Sequence, residues 1–428
     1  MEGLKMSIKK KTEMEGLKMS IKGMYIFLGI LIVVVLSILF CLSGFAQEEV
    51  YVGVVYPRTG PGAELGESAI NAALMAAEDI NTAGGIKALG GAKIIPIVGD
   101  TETDPKMAVS ITQRLISKYS ITAFNGAYYS GHTIPASEVT ERSKIPWVTG
   151  SISDMITSRG YKYIFQVSPK ASDFGRMQVE NLKELDKQSG TKHTKMAIVY
   201  EATAYGTDTA GGVKETCEEL GYDVVLFESY NAGFTDASPL VTKIKASGAE
   251  ILFPVSYVTD SILILRALRK FALNVSVIGG GAGFLMPAFY ESGQRDAEYL
   301  ISVASWNYDL PYPEVKDFAD RYKKKYGDFL TEHSGEAYVI MWVIKEACEL
   351  AKSSDPVKVR DALAQLDLRE GPGSCMPGHR VQFDETGWNK WVHPVMVQWQ
   401  KGELRCIWPP DSASIEPVWP FPTWSERE

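Results

Sequence analysis

The sequence predicts an α/β protein with two lobes, each built on a parallel, doubly wound sheet. Short apolar runs alternate with amphipathic helical patterns from Val50, and a second such series starts after Pro169. Each series is longer than about 100 residues, which is enough for a hydrophobic core of its own. Several strands also end in loops rich in Gly, Ser and Tyr, and ligands bind at that end of the strands in open α/β sheets.

The first series alternates strands and helices up to about residue 167. Asp104 and Pro105 are typical of a helix start, because Asp caps free amides and proline suits the first helical position. Helices between successive strands make the sheet parallel. The predicted strands lie at 50–56, 93–98, 121–124, 146–148 and 163–167, and the helices between them end near 81 and 118.

The second series continues the pattern and then changes. Its predicted strands lie at 196–200, 224–230, 251–255, 275–278 and 300–304, and its helices at 173–185, 205–220 and 259–271. Three more helices are predicted, at 315–326, 336–351 and 356–366. A hairpin follows, with arms near 380–383 and 391–400 around a turn at 384–387. The residues from Pro409 lack periodicity and are predicted to be a surface strap or disordered.

The first 46 residues are predicted to direct export. Residues 24–42 carry no charge, and small residues at Gly44 and Ala46 fit the site that a signal peptidase recognises. An uncleaved membrane anchor is the alternative, since an apolar run of this length can span a bilayer. Both alternatives place the rest of the chain in the periplasm or another extracytoplasmic space. The repeat MEGLKMSIK, at 1–9 and 14–22, is interpreted as a duplicated or mis-assigned translation start.

Composition and motifs exclude two classes of function. The net charge is −8, and it is −11 beyond residue 46 because the first 46 residues hold six lysines and three acids. Such acidity argues against a nucleic-acid partner. The sequence has no phosphate-binding loop, nucleophile elbow or H-E-x-x-H motif, and only five histidines could act as general bases. We therefore expect neither an enzyme nor a bound cofactor.

The candidate binding site consists of two loops that follow neighbouring strands, 125–131 and 149–153. Small residues there let main-chain amides approach a ligand, and the helix after the first loop favours an anion such as a carboxylate. Tyr128, Tyr205 and Tyr257 also stand at the carboxyl ends of strands in the two series. These residues predict a cleft lined from both lobes, although ordinary βα turns have a similar composition.

The C-terminal part holds residues that resemble zinc ligands in type: Cys375, His379, His393 and Cys406. The alternative is a disulfide between Cys375 and Cys406 that clamps the predicted hairpin. An exported chain would form that bond readily, so the disulfide is favoured and no metal site is predicted. Cys217 and Cys348 fall on helix faces and are expected to be small buried hydrophobes.

Seven segments between residues 50 and 400 resemble one known family and occur in the right order: VGVVYPRTGPGAELG, AAEDINTAGGIK, GDTETDPKMAV, SGHTIPASE, ITSRGYKYIFQVSP, AIVYEATAYG and VQFDETG. The chain is similar to the substrate-binding proteins of branched-chain amino acid ABC importers, which are type I periplasmic binding proteins of the leucine/isoleucine/valine-binding group. The resemblance implies an amino-acid transport role and docking on a membrane permease. The alternative is a membrane-anchored ligand-sensing ectodomain.

The resemblance implies two Rossmann-like lobes joined by a three-segment hinge that closes on a small ligand. The hinge crossings fall near 167–168, 303–305 and 388–390. The predicted domains are a signal peptide or anchor at 1–46, a first lobe of 48–167 plus 306–388, a second lobe of 168–304 plus 389–408, and a tail of 409–428.

The resemblance also implies which residues bind the ligand. The serine that holds the ligand carboxylate matches Ser130, and Tyr205 and Tyr257 match the second-lobe tyrosines that cover the ligand. Tyr338 matches a further cleft tyrosine. The loop that grips the carboxylate and ammonium matches Gly150, Ser151, Ile152 and Ser153.

One position departs from the family pattern. Gly281 stands where the family has the acid that pairs with the ligand ammonium. Because a buried, unpaired ammonium is costly, either another acid replaces it or the ligand has no ammonium. The candidate acids are Asp154, Glu201, Asp260 and Glu336. The predicted ligand is therefore a small carboxylate-bearing molecule, such as a branched-chain amino acid, or a related amide or organic acid.

Overall fold

The computed structural model describes residues 49–427 and, before them, residues 3, 6–7, 10–11, 23–26 and 28–29. The described residues from Glu49 onward form one compact unit. Among the described residues, no helix is long and apolar enough to span a membrane. The predicted signal peptide or anchor lies almost wholly outside the described residues, so it stays a prediction.

The first lobe is built on a five-stranded sheet in the order β2-β1-β3-β4-β5, and every neighbouring pair is parallel, as predicted. Helices follow the strands because each amphipathic segment covers one face of the sheet. The strands are β1 (Glu49–Tyr56), β2 (Lys93–Asp100), β3 (Ile121–Gly126), β4 (Trp147–Thr149) and β5 (Ile164–Gln166). The helices are α1 (Ala63–Thr82), α2 (Pro105–Lys118), α3 (Ser130–Ser143) and α4 (Met155–Ser158).

The start of α2 confirms the capping prediction. The Asp104 side chain accepts a hydrogen bond from the amide of Lys106 over 2.6 Å, and Pro105 is the first helical residue. This cap satisfies an amide that the helix itself leaves unpaired.

The second lobe is built on a seven-stranded sheet in the order β12-β11-β10-β9-β8-β6-β7. Its strands are β6 (Lys195–Glu201), β7 (Asp223–Tyr230), β8 (Ile251–Val255), β9 (Ser276–Gly279), β10 (Ile301–Ala304), β11 (Val395–Gln400) and β12 (Glu403–Trp408). The neighbouring pairs β7–β6, β6–β8, β8–β9 and β9–β10 are parallel. Strand β11 is antiparallel to both β10 and β12. The parallel arrangement predicted for the second lobe is therefore confirmed for β6 to β10, and the antiparallel edge belongs to the hairpin.

The first arm of the predicted hairpin, at 380–383, is wrong, whereas the second arm, at 391–400, contains β11. The hairpin consists of β11 and β12, and its turn is Lys401–Gly402, where both residues have positive φ (56° and 79°) as tight hairpin turns require. The turn predicted at 384–387 does form, with the Gly387 amide donating to the Asp384 carbonyl over 3.1 Å. The segment at 380–383 forms isolated bridges, Val381 with Leu368 and Phe383 with Asn389, but it forms no regular strand.

The remaining helices are α5 (Ala171–Ser189), α6 (Ala204–Leu220), α7 (Ser238–Ser247), α8 (Val258–Lys270), α9 (Pro287–Gly293), α10 (Pro313–Tyr326), α11 (Glu332–Ala351) and α12 (Pro356–Leu363). Although α11 follows β10 in sequence, it packs against α1 and against β3 and β4 of the first lobe. It begins one turn before its predicted start, which matters for the site. The exact domain boundaries stay a prediction.

The segment after β12 lies along the second lobe, which agrees with a strap. The side chain of Gln398 on β11 exchanges two hydrogen bonds with the main chain of Val418, of 2.9 and 2.8 Å. The Trp424 indole is buried and donates to the Leu273 carbonyl over 3.0 Å. These contacts tie the segment to both the β11 edge and the end of α8.

Candidate functional site

A small cavity with about 280 Å³ of empty space, open solvent included, lies between the two lobes, and we call it the central cavity. Its first-lobe lining consists of Tyr128, Ser130, Gly150, Ile152 and Glu332. Its second-lobe lining consists of Phe174, Tyr205, Tyr257 and Ala282. Five of the predicted binding residues therefore line one cavity from both sides: Ser130, Gly150, Ile152, Tyr205 and Tyr257.

Ser130 offers a hydrogen-bond donor at the floor of this cavity. It is the first residue of α3, and its Oγ accepts a hydrogen bond from the Ser153 amide over 3.1 Å. Because that bond uses a lone pair, the hydroxyl hydrogen is left for an acceptor in the cavity. The free amides of the first helical turn carry partial positive charge, so the arrangement suits a carboxylate.

Three other predicted residues lie beside the cavity but do not line it. The Ser151 hydroxyl donates to the Tyr128 carbonyl over 2.7 Å, so it orients the neighbouring loop. The Ser153 hydroxyl donates to the Asp208 carboxylate. Gly281 has a φ of +92°, and a Cβ there would lie 3.0 Å from the ring of Phe174.

Tyr338 lies elsewhere, which corrects the expectation that it is a cleft residue. Its hydroxyl donates to Asp79 over 2.6 Å, and its ring stacks on Phe318 with centroids 4.2 Å apart. Both contacts belong to the packing of α11 against α1 and α10. Tyr338 faces this helix interface because its place on α11 is set by the helical repeat, which turns it away from the cavity.

Tyr205 and Tyr257 form the second-lobe wall. The Tyr205 hydroxyl donates to the Gly280 carbonyl over 2.6 Å, and the two tyrosine rings lie 5.1 Å apart. Tyr257 also packs against Tyr129 of the first lobe at 4.6 Å. Burial raises the pKa of both Tyr205 and Tyr257 well above the usual value, so both hydroxyls stay neutral.

The acid nearest the cavity is Glu332, which sequence reasoning missed. Glu332 Oε1 accepts hydrogen bonds from the amide and the hydroxyl of Ser305, each 2.6 Å long. Its other oxygen accepts a longer bond of 3.4 Å from the Tyr128 hydroxyl. The prediction began the helix at Glu336, so Glu332 fell in an assumed loop. The available signal was its spacing of four residues from Glu336, which places the two acids on one helix face.

Glu336 lies directly behind the cavity wall. Its Oε1 is 2.5 Å from the Ser305 hydroxyl, and a Cβ on Gly150 would lie 2.2 Å from its Oε2. Only glycine at position 150 therefore leaves room for this carboxyl group. Glu336 Oε2 is buried and has no hydrogen-bond partner among the described residues.

Glu332 and Glu336 both contact the hydroxyl of Ser305, and this contact bears on which of the two is protonated. Burial raises the pKa of both carboxyl groups, and the nearby Glu332 charge raises that of Glu336 further. Because Ser305 has only one hydroxyl hydrogen, both contacts are satisfied when a protonated Glu336 donates to Ser305 and Ser305 donates to an ionised Glu332. In this arrangement Glu332 is the acid that carries the negative charge, and burial raises its pKa to about 7.

The other candidate acids do not line the central cavity. Asp154 accepts hydrogen bonds from the amide and hydroxyl of Ser172 over 3.1 and 2.6 Å. Glu201 and Asp260 line an outer cavity of about 1570 Å³, open solvent included, on the far side of Tyr257. Burial, with Asp260 adding repulsion, raises the pKa of Glu201 to about 7.

The predicted disulfide is absent, and Cys375 and Cys406 are both free thiols. Cys406 lies on β12, where its amide donates to Asp309 over 3.0 Å. Cys375 follows a 3-10 turn, and its thiol lies 3.6 Å from the Gly371 carbonyl. The predicted clamp fails because the segment at 380–383 is not a strand of the β11–β12 hairpin. Cys217 and Cys348 are buried, as expected.

Comparison with known proteins gives a consistent result. The family model described as periplasmic binding protein matches residues 49–403. Leu/Ile/Val-binding protein homolog 7 of Brucella melitensis is 32% identical over 399 residues, which cover 90% of this chain and 98% of that protein. Homolog 8 from the same organism is 31% identical over 381 residues, covering 86% and 92%.

Solved structures share the fold. A leucine-binding protein LivK from Thermotoga maritima has a TM-score of 0.74 at 20% identity and covers 83% of this chain and 97% of its own. The LivJ substrate-binding protein from Streptococcus pneumoniae, solved with isoleucine, has a TM-score of 0.72 at 22% identity and covers 83% and 98%. Two α/β lobes with a cavity between them define a class of protein that holds a small molecule between its lobes. The chain belongs to the periplasmic binding protein family, and its role is to bind a solute.

Proposed function

We propose that this chain binds a zwitterionic amino acid with an apolar side chain in the central cavity and delivers it to an ABC importer. The observation that carries the proposal is that Ser130 and Glu332 line the same cavity between the lobes. A hydroxyl donor at a helix start suits the ligand carboxylate, and an ionised carboxylate suits the ligand ammonium.

Glu332 supplies the countercharge that Gly281 lacks. A buried ammonium needs a partner to offset the loss of hydration, and an equally buried carboxylate has the same need. The ligand ammonium and Glu332 would satisfy each other. The acid thus comes from α11 on the first-lobe side rather than from the second lobe, which favours an amino acid over a ligand without an ammonium.

The remaining lining favours an apolar side chain. Tyr128, Phe174, Ile152 and Ala282 present rings and aliphatic groups to the cavity, and the Tyr205 hydroxyl is already occupied by the Gly280 carbonyl. Polar ligand side chains would lose water here without gaining partners. The relatives named for leucine, isoleucine and valine support the same class of ligand.

Delivery, location and absence of turnover complete the proposal. The relatives and the predicted signal peptide support an extracytoplasmic protein that releases its ligand unchanged to a permease. N-terminal sequencing of the exported protein tests the location. A start at Gln47 supports a cleaved signal peptide, whereas a retained apolar segment supports the membrane-anchored alternative.

Calorimetry with three matched ligands tests the binding mode. Leucine carries both charged groups, 4-methylpentanoic acid lacks the ammonium, and leucinamide lacks the carboxylate. We expect leucine to bind and each analogue to bind at least about tenfold more weakly, since each leaves one protein group unpaired. Binding of 4-methylpentanoic acid as tight as that of leucine would contradict the role of Glu332, and binding of no amino acid would contradict the proposal.

A further inference from the structure

Three side chains with metal-binding groups meet outside the central cavity. A carboxylate oxygen of Glu314, the sulfur of Cys375 and a ring nitrogen of His379 all lie within 4.8 Å of one another. In the part of the chain that the structure describes, no other group of three His, Cys, Asp or Glu residues comes together in this way.

Two chain segments hold this cluster in place. Glu314 is the second residue of α10, and Cys375 ends the 3-10 turn Pro372–Ser374. The Trp306 indole donates to the Cys375 carbonyl over 2.8 Å, and the His379 ring stacks on Tyr312 with centroids 4.2 Å apart. The side chains therefore converge because their backbones and rings are fixed by neighbours, not because of a bond among themselves.

Two polar atoms in the cluster lack hydrogen-bond partners among the described residues. Glu314 Oε2 and His379 Nε2 are both buried, and neither has a hydrogen-bond partner among the described residues. The Cys375 thiol has only a weak contact, 3.6 Å from the Gly371 carbonyl. Buried polar atoms are almost always paired in folded proteins, because each unpaired one has lost water without compensation. Two unpaired atoms within one cluster of metal-binding side chains indicate a missing partner.

We propose that Glu314, Cys375 and His379 bind a Zn²⁺ ion. Carboxylate, thiolate and imidazole are the three ligand types that zinc accepts, and a water molecule would complete a tetrahedron. The Cys375 thiol gives its proton to solvent as the zinc–sulfur bond forms, so the step is a simple exchange of a proton for a metal ion. The ion would link the start of α10 to the segment at 371–379. This proposal does not depend on the proposed function.

The set differs from the one that the sequence suggested. His393 and Cys406 are absent from the cluster, and Glu314, about 60 residues earlier in the chain, takes part instead. The His393 ring contacts the Pro394 carbonyl at 3.0 Å. A Cys-x3-His spacing therefore provides two ligands, and the third comes from the neighbouring helix.

Metal titration of the full-length chain tests the site. We expect the wild-type protein, stripped with EDTA and desalted, to bind one Zn²⁺ in competition with a chromogenic chelator. The variants Cys375→Ser and His379→Ala should each lose about tenfold or more in affinity, and Glu314→Gln should also bind more weakly. With Co²⁺ in place of Zn²⁺, a thiolate-to-cobalt charge-transfer band should appear in the wild type and be absent from Cys375→Ser.

Controls separate loss of the site from loss of the fold. Cys217→Ser and His393→Ala should bind Zn²⁺ as the wild type does. Each variant should melt at the wild-type temperature in EDTA. Added Zn²⁺ should raise the melting temperature of the wild type and of these two controls, but less or not at all for the site variants. Absence of stoichiometric Zn²⁺ binding by the wild type would overturn the proposal. So would an affinity that stays unchanged in both Cys375→Ser and His379→Ala.

Discussion

Ser153 of the first lobe donates a hydrogen bond to the Asp208 carboxylate of the second lobe. The amide of Asp154 donates to the same carboxylate oxygen over 3.0 Å. These two bonds join the loop after β4 to helix α6 directly beside the central cavity. They therefore connect the binding loop to the relative position of the lobes.

Removing the Asp208 carboxylate should weaken ligand binding from outside the cavity. Contacts made only in the closed arrangement favour closure, and hydrogen bonds to a charged group contribute about 1.5–3 kcal/mol. We expect Asp208→Ala to lose about 1–2 kcal/mol of ligand affinity by calorimetry. Glu215→Ala, an exposed change on the same helix, should bind normally. Equal affinity in both variants would show that the Ser153–Asp208 contact does not stabilise the closed form.

Ser130→Ala should weaken ligand binding by about 1–3 kcal/mol, because the ligand carboxylate would lose a charge-assisted hydrogen bond. The matched control is Ser137→Ala on the same helix, whose hydroxyl donates to the Ile134 carbonyl over 2.9 Å. The control should change stability but not affinity. Calorimetry on both variants checks this, and unchanged affinity in Ser130→Ala would remove Ser130 from the site.

The two acids on α11 should respond differently to the same substitution. Glu332→Gln removes the charge that faces the ligand ammonium, and we expect a loss of about 2–5 kcal/mol in affinity. Glu336→Gln resembles the protonated acid already present and should cost much less. If Glu336→Gln weakens calorimetric affinity for leucine as much as Glu332→Gln does, the assignment of the charge to Glu332 is wrong.

Glu201 should make the ligand-free protein less stable as the pH rises from about 4.5 to about 7, against the opposite contribution of the buried neutral His132 and His333. The pKa of Glu201 is raised from 4.5 to about 7 in the folded state, mainly by burial, so the folded state binds more protons than the unfolded state in this window. Burial also raises the pKa of Glu332 and of Glu336, so both acids contribute to stability in the same direction as Glu201.

Thermal melts across that pH range measure the effect. Glu201→Gln should reduce the fall in melting temperature, because glutamine cannot ionise, whereas Glu385→Gln at an exposed turn should leave it unchanged. An identical dependence of melting temperature on pH in Glu201→Gln and the wild type would contradict the expected role of Glu201.

Restoring an acid at position 281 should damage the protein rather than improve binding. Gly281 has positive φ, and a Cβ would lie 3.0 Å from Phe174 and 3.3 Å from the Val303 carbonyl. We expect Gly281→Asp to lose about 1–3 kcal/mol of unfolding free energy and to gain no affinity for leucine.

The control for this change is Gly221→Asp at the end of α6, where φ is +79° and no atom lies within 4 Å of an added Cβ. Gly221→Asp should lose less unfolding free energy than Gly281→Asp, because backbone strain is its only cost. Chemical denaturation of both variants makes the comparison. A Gly281→Asp protein that binds leucine more tightly would show that position 281 still can supply the pairing acid.

Sequence patterns predicted the features that depend on residues close together in the chain. The strand–helix alternation, the Asp104 cap and the position of Ser130 at a helix start all follow from local periodicity and capping, so they could be read without knowing the fold. The hairpin could not, because β11 pairs with β12 and β10 through partners that the local pattern does not specify. Tyr338 was misplaced for the same reason, since only the packing of α11 decides which way it faces.

The chain by itself determined the fold class, the family resemblance and most of the cavity wall, because those depend on hydrophobic periodicity and on residue types at the ends of strands. The tertiary structure alone decided where the countercharge lies. Glu332 meets Ser305, which is 27 residues away, only because α11 returns to the first lobe after β10. It likewise decided that Cys375 meets Glu314 and not Cys406. Charge, burial and metal-binding geometry are properties of groups that folding brings together, so they become visible only when those groups have positions in space.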